Sequence, residues 1–272
     1  MSDSAKYNKR TVAGNITALF YLAVVATVAF ISLYQGLSQY YADAANASKS
    51  NLSASKAIEN DPANPDAYKI RGELFVSKNN YEAAERDFES AANLRPTDYV
   101  LWLRLGCARY KQRNFAEAEK AYERAINLAP NYAQPRWLMG WLYFGQENFD
   151  RAFDYFNQAA DLDSEYLSEM LHLARTTFAD NAVVDELIKP KSLTAKKTTA
   201  FYFIEHDISS ERNRVFLTGD DLTDYHKNIY VSRLIAVKKF SLAYAVWLSK
   251  RKNKNIVLSE GCLLYTSPSP RD

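Results

Sequence analysis

Gly72, Gly106 and Gly140 recur at a step of 34 residues, and no other feature of this chain constrains its fold as much. Five further columns keep that step: Asn80, Asn114 and Asn148; Tyr81, Phe115 and Phe149; Ala84, Ala118 and Ala152; Phe88, Tyr122 and Phe156; Ala91, Ala125 and Ala159. Pro96 and Pro130 close the first two units. A fixed period of this length marks stacked supersecondary units rather than one irregular core. Small residues let two helices of a unit approach closely and aromatics fill the space between neighbours. Proline ends the second helix because it lacks an N–H and clashes with the preceding turn.

On these columns the chain resembles the tetratricopeptide-repeat family, in its N-terminally membrane-anchored bacterial form. The resemblance implies an all-α fold of antiparallel helical hairpins over residues 65–166. Ala57 and Pro62 stand one step before Ala91 and Pro96, so residues 44–64 read as a partial leading repeat, with residues 44–60 as its second helix. After Tyr166 the columns decay. Residues 165–178, 181–189, 192–206 and 221–239 still read as helices, with Pro190 a natural stop, and Phe240, Ala243 and Trp247 echo the repeat register. Degenerate hairpins are therefore expected over 167–252, and residues 253–261 turn strand-like.

The family lines a concave groove with the first helix of each unit. Carried over by register, that face holds Asp66, Lys69, Glu73 and Val76 in the first unit. It holds Leu103, Cys107, Tyr110 and Lys111 in the second, and Gln134, Trp137, Trp141 and Phe144 in the third. The resemblance thus implies a charged lip and an aromatic floor suited to an extended peptide or an amphipathic helix. The partner-binding residues expected from it are Lys69, Glu73, Leu103, Tyr110, Trp137, Trp141 and Phe144. A competing reading has the aromatics covered by the chain's own C-terminal helices. Some members grip chaperone C-termini with a Lys, Asn and Arg clamp; the matching positions here are Lys69, Glu73, Arg104, Gln134 and Leu138, of which only Lys69 agrees.

The N-terminal segment sets the compartment. No charged residue occurs over 11–42, and residues 17–34 (TALFYLAVVATVAFISLY) are almost wholly apolar, long enough to cross a hydrocarbon core as a helix. A cleaved leader has a shorter apolar stretch, so a retained transmembrane helix is expected over 13–41, although Ala42-Asp43-Ala44 offers a cleavage site. Lys6, Lys9 and Arg10 precede the span and Asp43 is the first charge after it. The positive-inside bias then puts residues 1–12 in the cytoplasm and the repeats outside it, in a periplasm if the source is Gram-negative. Residues 262–272 (CLLYTSPSPRD) resemble translated sequencing-adapter read-through, which implies a natural frame continuing past Gly261.

The net charge is +2, an excess already present in the first twelve residues, so the near-neutral remainder has no field to gather phosphate backbones and nucleic acid is not an expected partner. The run Lys250, Arg251, Lys252, Lys254 reads as a solvated helix end. With Cys262 in the suspect tail, Cys107 has no cysteine to pair with. His172, His206 and His226 are far apart and without metal-ligand spacing. Glu205-His206-Asp207 point different ways on a helix, and Asp220-Asp221 read as a turn and helix N-cap. No nucleophile motif or phosphate-binding glycine loop is present. A non-enzymatic, cofactor-free interaction scaffold follows, by family analogy in envelope assembly, secretion or polysaccharide export. The alternative makes the repeats a mount for a further ligand-binding or catalytic domain. A third, with the leader removed, is a soluble exported protein.

Overall fold

A computed structural model describes residues 3–48 and 50–250, and the side chains of residues 21–48 and 50–250. The strand-like segment expected over 253–261 and the suspect tail lie outside them. Fourteen helices and no strand occur among the described residues. They divide into two compact units, Met1–Asn148 and Phe149–Asp272.

The first unit begins with α1 (Asp3–Ser48), a helix of 46 residues. At 1.5 Å per residue it is about 69 Å long, more than twice a hydrocarbon core. From Tyr21 to Leu37 every side chain is exposed, and burial begins at Ser38, Ala42 and Ala45. The stretch Tyr21–Ser48 is apolar and long enough to span a membrane. Past Ser38 the same helix packs against α2 (Asn51–Asn60), with Ala42 and Ala57 in one apolar cluster and Ala45 and Ala54 in the next. Residues 44–48 therefore belong to α1, and the second helix expected over 44–60 is the shorter α2. The leading hairpin has both its helices, because the long apolar stretch and the first helix of the hairpin are one uninterrupted helix.

Two complete hairpins follow, α3 (Pro65–Ser77) with α4 (Tyr81–Leu94) and α5 (Tyr99–Lys111) with α6 (Phe115–Leu128); α7 (Ala133–Phe144) closes the unit. The glycine column has a direct steric cause. A Cβ at Gly72 would lie 2.7 Å from the Phe88 ring, and one at Gly106 would lie 2.5 Å from the Tyr122 ring. Each aromatic sits against the bare backbone of the partner helix, and both are buried.

Each first helix ends the same way. Asn79, Arg113 and Glu147 adopt left-handed φ of 57°, 61° and 61°. The next residues, Asn80, Asn114 and Asn148, donate their N–H back to Phe75, Arg109 and Tyr143 carbonyls. This is the Schellman stop, a 6→1 bond around a left-handed residue. Asn80 then caps α4 by accepting from Ala83 N. The asparagine column thus closes each first helix through its backbone N–H, and at Asn80 its side chain also opens the next.

Ion pairs tie neighbouring hairpins together. The Arg71 guanidinium grips Asp87 through two bonds of 2.8 and 2.7 Å and reaches Ser55 Oγ at 3.2 Å, linking α3 to α4 and α2. Asp87 is 5% exposed, so its charge depends on that fork. Arg109 holds Glu85 at 2.8 Å and Glu89 at 3.0 Å.

The second unit comprises α8 (Phe149–Leu162), α9 (Glu165–Thr177), α10 (Asn181–Leu187), α11 (Leu193–Glu205), α12 (Glu211–Thr218), α13 (Asp224–Ala236) and α14 (Phe240–Ser249). Helix α12 has no counterpart in the sequence reading. Helix α13 starts three residues later than expected: Thr223, accepting from His226 N, is its N-cap, while Asp220 and Asp221 lie in the turn before it. Buried Asn157 fixes the chain after α10, donating to Leu187 O at 2.7 Å and accepting from Lys189 N at 2.8 Å. Asp161 takes Lys191 N and Ser192 N, and so sets the entry to α11. Helices α11 to α14 share a core of Ala200, Ile204, Leu217, Leu222, Tyr230 and Leu234.

Candidate functional site: the groove faces of α3, α5 and α7

Helix α3 presents the charged end. Asp66 is held by Arg95 through bonds of 3.3 and 3.0 Å and lies 3.8 Å from Lys69. Glu73 pairs with Arg104 of α5 at 3.4 Å, both partly exposed. Each charge here already has an opposite neighbour in a wet setting, so this end offers exchangeable pairs rather than stored field. The Glu73–Arg104 pair occupies two of the positions where the chaperone clamp needs amides and cations, which leaves that clamp unformed.

Helix α5 packs against α4, α6 and α7, and this covers most of its circumference. Leu103 is accordingly buried at 4% exposure. The half-buried Cys107 accepts a hydrogen bond from the Tyr122 hydroxyl at 3.4 Å. Burial pushes the Cys107 thiol above its ordinary range, and burial likewise raises the Tyr122 phenol. A thiol held protonated is a poor nucleophile and a poor metal ligand. Tyr110 turns toward α7, its hydroxyl against the backbone of Gly145, where a Cβ would stand 2.7 Å away.

Helix α7 supplies the aromatics at i, i+4 and i+7, one helical face. Trp137 and Trp141 meet edge to face with centroids 6.2 Å apart, and Trp141 meets Phe144 at 5.3 Å. Trp141 and Phe144 are half-buried, whereas Trp137 is 6% exposed. Trp137, expected as a contact residue, therefore acts as the support behind Trp141. Sequence register picks the face of a helix but not what covers it, so the burial of Leu103 and Trp137 is not legible there.

The remaining candidates do not gather. Glu205 pairs with Arg233 and Asp207 with Lys239 at 2.6 Å, while His206 lies tilted against the Tyr202 ring and contacts Arg175. His226 contacts Thr223 and Lys197. Among the described residues no three His, Cys, Asp or Glu side chains come together as a metal site.

Residues 36–99 and 103–166 match the tetratricopeptide-repeat family model, and this stretch carries that repeat. The match begins within α1, in agreement with a two-helix leading hairpin. Among solved structures, a crystal structure of MamA protein is 15% identical, with a TM-score of 0.50 over 66% of this chain and 97% of that one. MamA from Desulfovibrio magneticus RS-1 is 22% identical with a TM-score of 0.47, over 66% and 97%. PilF from Pseudomonas aeruginosa is 16% identical with a TM-score of 0.46, over 81% and 97%. At 15% identity the first likeness speaks to fold alone. No curated protein matches the chain.

Proposed function

We propose that this chain is a membrane-anchored interaction scaffold that holds a peptide or helix of another protein on the groove face of α3, α5 and α7. The reading rests chiefly on Trp141 and Phe144, an aromatic pair left half-exposed on a buried support, with the Glu73–Arg104 pair beyond it. Large amphipathic rings with little rotamer freedom are favoured contact residues. The partner side would carry an apolar anchor followed by charge of either sign, which the paired Glu73 and Arg104 can each accept by exchange.

The retained anchor is supported by what a cut at Ala44 would remove. Ser38 donates from Oγ to Ala57 O at 2.8 Å and accepts from Asn64 Nδ2 at 2.9 Å, and Ala42 packs between Ala57 and Ala67. Cleavage there strips most of the first helix from the leading hairpin and exposes α2 and α3. The N-terminus in the cytoplasm and the repeats on the outer or periplasmic side follow from Lys6, Lys9 and Arg10 ahead of the span. That side is where a role in an envelope assembly would be exercised, without nucleic acid, cofactor or catalytic step.

The test is a crosslinking pull-down with a photoreactive residue at the exposed position 134 of α7, with and without Trp141→Ala or Phe144→Ala in the same chain. A specific crosslinked protein lost in both variants supports the groove. Recovery unchanged in both removes it. Resistance to alkaline carbonate extraction, with an intact N-terminus by mass spectrometry, tests the anchor separately.

A further inference from the structure

The first unit has a second surface, at the end where α1 enters it. Helix α1 is continuous from the apolar run into the leading hairpin. The run over 17–34 ends four residues before Ser38, where burial begins, and four residues of helix rise about 6 Å. A headgroup layer is about 5–8 Å deep on each side of the hydrocarbon core. Tyr34, Tyr40 and Tyr41 flank the junction, and tyrosine collects at that level of a bilayer. With the run in the hydrocarbon core, the hairpins begin at headgroup level without a linker.

Packing fixes which end of each hairpin meets that level. Asn64 Nδ2 donates to Ser38 Oγ at 2.9 Å, so the turn of residues 61–64 sits beside the emerging helix. Ala42 packs with Ala67 and Ala45 with Leu74, so α3 runs in the same direction as α1, away from the bilayer. Arg95 holds Asp66 at 3.0 Å, which brings the turn of residues 95–98 alongside the start of α3. Tyr99 meets Tyr132 with ring centroids 5.2 Å apart, which adds the turn of residues 129–132. Three turns thus share one end of the unit.

Leu94 and Tyr132 stand exposed at this end, at 43% and 57%. The cations beside them are already partnered, Arg95 with Asp66 and Asp98, and Arg136 with the Pro130 carbonyl. The opposite ends of the same hairpins carry Lys78, Arg113 and Glu147, all exposed. A leucine and a tyrosine among neutralised charges suit the boundary between headgroups and acyl chains, where a ring is covered and its hydroxyl stays wet.

We infer, on the strength of the anchor proposed above, that this end of the first unit rests on the lipid headgroups of the leaflet from which α1 emerges. Leu94 and Tyr132 enter the layer, and the hairpins stand on it. The span and the resting face are then two attachments, and together they hold the unit in one orientation to the membrane.

The test places a photoreactive benzophenone residue at position 30, 132 or 78 of the full chain, reconstituted in phosphatidylcholine vesicles, and reads phospholipid adducts by mass spectrometry. Position 30 is exposed on α1 and reports the span. Position 78, just past the far end of α3, stands about 20 Å of helix rise from that helix's start. Adducts are expected at 30 and 132, with none above background at 78. Leu94→Glu should lower the yield at 132 about tenfold without changing that at 30. An adduct at 30 without one at 132 overturns the resting face and leaves the anchor standing. Absence of an adduct at 30 removes the anchor and the resting face with it. Equal yields at 132 and 78, or a crosslinked second copy at 132 in place of lipid, also overturn the assignment.

Discussion

The hairpins α3 to α6 and the hairpins α11 to α14 turn their corners in the same way and fill them differently. Asp207 and Lys238 take left-handed φ of 57° and 62°, and the residues after them, Ile208 and Lys239, bond back to Phe203 and Leu234 carbonyls. This is the stop seen at Asn79 and Arg113. Counting from the left-handed residue, the glycine position holds Ala200 and Val231, and the buried aromatic position holds Phe216 and Trp247. The backbone stop recurs where the glycine column does not. A Schellman stop needs only a tolerated left-handed residue and two free carbonyls, whereas the ring-on-backbone contact at Gly72 and Gly106 needs a particular pair of residues.

The largest expected contrast lies in the ion pairs. Arg71→Met strands Asp87 at 5% exposure and should cost about 3 kcal/mol. Adding Asp87→Leu should recover most of that loss, because the cost is the unpaired charge. Arg233→Met breaks a partly exposed pair with Glu205 and should change stability by less than about 1 kcal/mol. Urea melts of the three variants decide it, and equal losses at the two positions would remove the distinction between a clip and an ornament.

One swap tests the glycine column from both sides. Gly106→Ala gains about 1 kcal/mol of helix propensity but drives a methyl into the Tyr122 ring, and should lose about 1 kcal/mol net. The reverse change, Ala200→Gly, opens a small void at a fully buried site and also loses about 1 kcal/mol. Stabilisation by Gly106→Ala in thermal melts would show that Tyr122 yields freely.

These contrasts also show what the residues reveal unaided. The hairpins of the first unit are legible because Gly72, Phe88 and their copies serve packing directly, and packing repeats with the structure. The start of α13 was misplaced because Asp220-Asp221 and Thr223 are all acceptable caps, and only the path of the chain selects Thr223. Helix α12 escaped because Glu211–Thr218 is short and polar, with Ser210 as N-cap and Gly219 as stop its only local signals. Register assigns Glu73, Tyr110, Trp141 and Phe144 each to one face of its helix. It gave no sign that Leu103 and Trp137 are covered, since burial depends on neighbours distant in sequence.

A smaller effect sits at the left-handed corners themselves. A non-glycine side chain there costs roughly 1 kcal/mol, partly offset by the freedom glycine brings to the unfolded chain. Lys238→Gly should therefore stabilise by about 0.5 kcal/mol. Asn79→Gly should gain less, because asparagine tolerates this conformation. Equal gains in paired melts would mean that the two corners are under the same strain.

The smallest effect is electrostatic and depends on pH. The hydrogen bond and charge of Lys239 hold the Asp207 carboxyl below the usual carboxylate range, on a side chain that is fully exposed. A lowered folded-state value means that the pair adds stability above the unfolded carboxylate range and loses it as pH falls through the folded value. Asp207→Asn keeps a residue suited to left-handed φ and deletes the charge. Wild type should melt slightly higher than this variant at neutral pH, with the gap closing below about pH 4 and shrinking in high salt. Equal melting of the two at neutral pH would assign the role of Asp207 to its backbone conformation. The corner after α11 would then resemble the repeat corners fully, held by geometry with no help from charge.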